Sequence, residues 1–145
     1  MRIDALTSAY LEKAKVRFKA LSFFYEHGAY SDVVRESQEM VELLLKAVLR
    51  AIGVEVPKIH DVGRVLEKHR ESLPLILQNH LDKIKSISKR LRKERELSLY
   101  GAEDFIPTEE YGPEDAEMAI KDAEFVLKTV EDSFEKWGKG EINAD

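Results

Sequence analysis

Four glycines cut this chain into helix-sized pieces. Gly28, Gly53, Gly101 and Gly138 each follow a long helix-compatible stretch, the place where a residue able to take positive φ closes a last turn. Between them the apolar residues recur three and four apart, the period of a helix with one buried face. The first helix is predicted over Thr7 to His27, with Leu11, Ala14, Phe18, Leu21 and Tyr25 on its inner face. The second starts at an N-cap, Ser31 or Asp32, and buries Val34, Ser37, Val41, Leu44, Leu45, Val48 and Ile52. Pro57 restarts the chain, and Ile59 to His69, carrying Val62, Val65 and Leu66, reads as a shorter helix that Pro74 limits. From about Pro74 to Gly101 the stripe is Leu77, Leu81, Ile84, Ser88, Leu91, Arg95 and Ser98. Ala102 to Gly112 is expected to be a loop. Pro113 then opens a last helix with Ala116, Ala119, Ile120, Ala123, Val126, Leu127, Val130, Phe134 and Trp137 along its inner face.

The expected fold is all-α: an antiparallel up-and-down bundle of four long helices plus one short irregular helix. It occupies residues 1–138 as a single domain, with 139–145 a frayed tail. At 145 residues and 43% hydrophobic content there is material for one core and too little for two. Cysteine is absent, which removes disulfides, thiolate metal sites and cysteine nucleophiles and fits a reducing cytoplasm. The first ten residues lack the apolar run of a signal peptide, and no stretch reaches the ~18 apolar residues of a membrane span. Only two Asn and two Gln accompany abundant Lys, Arg and Glu, a balance that points to a hot environment.

The net charge of −5 argues against a surface that binds nucleic acid everywhere, but the charge is segregated. Seven cations lie between Lys83 and Arg95, whereas acids crowd Glu103 to Glu124. Two neighbouring helices of opposite sign attract each other across solvated faces; the alternative is a phosphate-facing strip.

Enzymatic signatures are scarce. His27, His60, His69 and His80 show no one-turn pairing and no Glu-x-x-His motif, so no metal site is expected. Glycine-rich phosphate loops and a Gly-x-Ser-x-Gly elbow are missing, so no cofactor and no catalytic residue can be nominated. Two polar features stand out. Arg35, Glu39, Glu42 and Lys46 form a ladder along the second helix, readable as an exposed run of salt bridges or as part of a site. Arg95 lies about 40° around its helix from Leu91, on the apolar side, where a guanidinium needs Glu42 or another acid, an exit to solvent, or a ligand.

The run from Gly28 through Tyr30 into Glu42, Lys46 and Ala47, followed by His60-Asp61-Val62, resembles the signature of the HEPN family. The segments Arg95–Gly101 and Tyr111–Leu127 are similar to archaeal members, and the likeness covers nearly all of residues 5 to 137. The resemblance implies a helical bundle that pairs into a homodimer and often works beside a minimal nucleotidyltransferase. Many members are ribonucleases of toxin–antitoxin systems, with an Arg, four to six residues and a His on the fourth long helix. Here Tyr100 follows Arg95 at that spacing, and aligning on Lys93 instead places Ser98 there, so the histidine is absent. The literal pattern at Arg64 to His69 falls in the short middle helix, where chance supplies such a match.

Family likeness and missing histidine together lead to the expectation of a binding module that engages a nucleotide, RNA or a nucleotidyltransferase partner, with no DNA specificity and no membrane. The alternatives are a degenerate ribonuclease and a structural or chaperone-like subunit. The residues expected to bind ligand are Arg95, Tyr100, Glu42 and Lys46. Arg95 and Tyr100 lie about 140° apart on an ideal helix, so one site uses both only if the last turn unwinds or a second copy supplies one.

Overall fold

The first helix begins where Asp4 accepts hydrogen bonds from the Thr7 amide and the Thr7 hydroxyl, both at 2.9 Å. The helix opens two residues earlier than the periodicity suggests, because Ala5 and Leu6 continue the turn without contributing to the buried stripe. The computed structural model describes residues 2–56 and 61–138, in which six α-helices and one 3-10 turn follow in the order α1 (Ala5–Glu26), α2 (Tyr30–Ala51), α3 (Val62–Lys68), the turn Arg70–Ser72, α4 (Leu75–Leu99), α5 (Pro107–Glu110) and α6 (Pro113–Gly138). No strand occurs among the described residues. Pro57, Ile59, His60 and the tail 139–145 lie outside them.

The chain is all-helical, as its periodicity predicts, with α2 at the centre. It packs against α1, α4 and α6, and α4 and α1 each also pack on α6. Consequently α2 is buried around most of its circumference. Val33, Met40, Ala47, Leu49 and Ala51 are enclosed in addition to the expected Val34, Ser37, Val41, Leu44, Leu45 and Val48. Helix α1 buries only Thr7, Ala14 and Leu21, so its outer face meets solvent.

Several boundaries differ from expectation. Helix α2 starts at Tyr30 after Ala29, which has no side-chain cap, and Ser31 and Asp32 lie inside its first turn. An edge contact between Tyr25 and Tyr30, 5.4 Å between ring centres, joins the two helices across this turn. The expected loop 102–112 contains the short helix α5, preceded by a tight turn in which Ala102 and Phe105 exchange both backbone hydrogen bonds at 2.9 and 3.0 Å. Gly101, at φ 71°, is required there: a Cβ would press on the Phe105 carbonyl oxygen and lie 2.7 Å from the Pro107 ring. On α6 the expected stripe is enclosed, with Ile120 and Trp137 half-buried. The hydroxyls of Thr129 and Ser133, also buried there, donate to the carbonyls one turn back at 2.8 Å.

The far end of the molecule is fastened by Asp4. Beyond capping α1, it sits 2.9 Å from Arg50 at the end of α2, and the Arg2 amide donates to the Ala51 carbonyl at 2.8 Å. The Thr7 amide first, and then Arg50, hold the Asp4 carboxyl well below the usual carboxylate range.

Candidate functional site

Helix α4 sends cations both to α6 and to α3 with its capping residue Asp61. Arg90 pairs with Asp122 of α6, Arg92 reaches Asp61 at 3.5 Å, and Lys85 donates to Glu67 of α3 at 2.9 Å. Lys83 stands 3.9 Å above the Phe125 ring. The attraction between the basic helix and its acidic successor is therefore one contact among several.

Near its C-terminus α4 turns Arg95 toward α2. The Arg95 guanidinium lies 3.4 Å from Oε1 of Glu39, and Arg35 donates to the same oxygen at 2.5 Å. Two guanidinium groups thus share one carboxylate, which leaves a surplus positive charge at this face. Arg35 and Glu39 are mostly enclosed, whereas the Arg95 side chain is 47% exposed, so the cluster opens to solvent at its Arg95 end. The partner is Glu39 and not Glu42. Glu42 pairs with Lys46 at 3.8 Å, one turn further along α2. Tyr100 stands just past the end of α4 and is 80% exposed. Of the four residues singled out, the structure joins Glu42 to Lys46, gives Arg95 to Glu39, and leaves Tyr100 in solvent.

Arg35 is the residue whose role sequence reading did not reach. Its signal was present in the ladder it shares with Glu39, but nothing in one helix's spacing says which rung a second helix meets.

Beside this cluster a pocket of about 110 Å³ lies between α2, α4 and α6, with Arg90, Glu94, Tyr111, Asp115 and Asp122 as its polar lining. The Tyr111 hydroxyl donates to Glu94, and burial, then that carboxylate, push the phenol above its ordinary pKa. A phenol so placed stays protonated and acts as a strap holding the segment before α6 onto α4. The volume is well below the ~300 Å³ that a drug-sized ligand needs, so this pocket is not a nucleotide site.

The contacts of the described histidines are with groups other than Arg95. His27 donates from Nδ1 to the Phe23 carbonyl on α1, and His80 meets the Phe125 ring about 22 Å along α4 from Arg95. His69 follows α3, and its spacing partner Arg64 is an exposed side chain held to Asp61 at 3.6 Å. No group of three His, Asp or Glu among the described residues is placed to hold a metal ion. No described helix is long and apolar enough to cross a membrane.

The HEPN domain model matches residues 7–133. The chain belongs to the HEPN family. This HEPN protein is similar to "Putative toxin MJ1304" of Methanocaldococcus jannaschii, 36% identical over 139 residues that cover 91% of this chain and 86% of that one. No solved structure matches it significantly. The family's Arg-x4–6-His pattern has no counterpart at the end of α4, where Tyr100, Gly101 and Ala102 stand five, six and seven residues beyond Arg95.

Proposed function

We propose that this HEPN protein binds a phosphate-bearing ligand, a nucleotide or an RNA, at the face where Arg35 and Arg95 converge on Glu39. In this reading it acts as the toxin-side member of a two-component system, engaged by a minimal nucleotidyltransferase, and pairs with a second copy of itself. The observation that carries it is the charge surplus of two guanidiniums on one carboxylate, open to solvent at Arg95. A forked cation at the mouth of such a cluster suits a phosphate, which can accept two parallel N–H bonds. The name of the Methanocaldococcus relative supports the toxin side of the reading. Tyr100, exposed beside the end of α4, would offer a stacking face to a base.

The test is a titration of labelled RNA and of a nucleoside triphosphate against parent and Arg95→Ala protein. Weakening by more than tenfold, about 1.4 kcal/mol, is expected with the melting curve little changed. A variant that unfolds while the parent binds neither ligand would assign Arg95 to structure alone.

A second reading, a ribonuclease with a displaced or degenerate site, is favoured by the same relative's name. RNA degradation by the purified protein that disappears in Arg95→Ala would replace the binding module with an enzyme. A tyrosine is a poor stand-in for the missing base, since an ordinary phenol titrates near ~10.

A further inference from the structure

The groove between α3 and α4 has a charge opposite to that of the whole protein. Net charge is −5 overall, yet this groove of about 510 Å³ is lined by Arg64, Lys68, Lys85 and Lys89 against Asp61 and Glu67. Both acids are already engaged. Asp61 accepts from the Arg64 amide at 3.3 Å and faces Arg64 and Arg92 at 3.6 and 3.5 Å. Glu67 accepts from Arg70 at 2.7 and 2.9 Å and from Lys85 at 2.9 Å. Lys68 and Lys89 stay exposed, with no carboxylate partner among the described residues.

Two details shape this arrangement. Lys85, Lys89 and Lys93 follow at four-residue spacing, which sets like charges on one side of α4, and Glu67 offsets the first of them. Gly63 lets α3 lie directly on α4: a Cβ there would be 3.3 Å from Cγ of Lys85 and 3.6 Å from its Cα. The cations of α3 and α4 are thereby brought to opposite walls of one concave surface.

We propose that this groove holds the phosphodiester backbone of a single-stranded nucleic acid. No aromatic side chain among the described residues lines it, so the contacts it offers are charge contacts to phosphates and not a stacking platform for bases. Binding is therefore independent of base sequence and strongly dependent on salt. The groove is distinct from the Arg95 cluster: Lys89 lies about 120° around α4 from Arg95, toward α3 and away from α2.

The experiment uses the full chain with fluorescein-labelled oligouridine, read by anisotropy between about 50 and 200 mM salt. Parent protein is compared with the double variant Lys68→Glu/Lys89→Glu, which breaks no ion pair among the described residues and should keep its melting curve. Its affinity is expected to fall more than tenfold at the low-salt end. The slope of log K against log salt should shrink by about 1.4, two phosphate contacts at ~0.7 each. Oligodeoxyuridine of equal length should bind equally well, because the contacts proposed run from Lys68 and Lys89 to phosphates, which both strands carry. Unchanged affinity and slope in the double variant would overturn the proposal. So would an equal loss in Lys68→Arg/Lys89→Arg, or a polyglutamate peptide that competes as well as RNA. Arg95→Ala measured in parallel separates the two readings, since either site can lose its effect while the other keeps it.

Discussion

The two halves of α4 share one helical stripe and meet opposite fates. Leu77, Leu81, Ile84, Ile87 and Leu91 are almost fully enclosed against α2 and α6. From Arg95 onward the same side carries a half-exposed guanidinium and then the buried Ser98, while Leu99 and Tyr100, on other sides of the helix end, protrude into solvent. Position on a helix face therefore does not decide burial by itself. What decides it is whether a neighbouring helix still runs alongside, and whether the side chain is long enough to carry its charge out past the edge. The packed half holds the molecule together, and the protruding half is free to meet something else.

The strongest way to break this contrast is to hollow out the packed half. Ile84→Ala should cost about 2–5 kcal/mol in urea unfolding, because Ile84 is fully enclosed and its neighbours can collapse only partly. Next in size is Gly101→Ala, which attacks the stop that separates the helix from the Phe105 turn. A cost above about 1 kcal/mol is expected, and Gly28→Ala is the control, having nearly the same φ, 70°, with nothing within 4 Å of the added carbon.

A smaller effect comes from the α3 side of the packed half. Hydrogen bonds from Arg70 and then Lys85 hold the Glu67 carboxyl at about 2, below its ordinary 4.5. The folded value is the lower one, so this contribution is complete above pH 4.5 and is lost as the pH falls toward 2. The urea midpoint should drop across that interval in the parent and drop less in Glu67→Gln. The smallest effect on stability belongs to Arg95→Ala, whose ion pair is half in solvent and contributes about 0.5 kcal/mol or less. A loss comparable to that of Ile84→Ala would erase the distinction between the halves.

The helices were legible because their apolar spacing is regular and their ends are marked by Gly28, Gly53, Gly101 and Pro113. The detail lost was of two kinds. A stripe at alternating steps of three and four is ambiguous by one residue: following Ile84 by Ser88 in place of Ile87 keeps the period, yet Ile87 is the enclosed side chain and Ser88 only half so. A helix of four residues such as α5 is also too short to show any period. The site was less legible, since the pairing of Arg95 with Glu39 over Glu42 depends on the register between α4 and α2, and both acids lie on the same ladder. The groove over α3 was harder still. Its cations come from two helices with separate sequence addresses, and Gly63 marks their contact only once the two are seen together. The likeness to the HEPN family was the most legible feature, carried by the order of several short motifs and shown by the match over residues 7–133.

The central position of α2 has a consequence for how the molecule opens. A helix such as α1, with one outer face in solvent, can detach locally while the rest persists. Helix α2 is in contact with α1, α4 and α6, and its enclosed residues run from Val33 to Ala51. Solvent reaches its amides only after several neighbours have separated, which is close to complete unfolding. Its middle turns are thus where hydrogen exchange is slowest and tracks the global free energy, whereas α1 and the end of α4 exchange through smaller, cheaper openings.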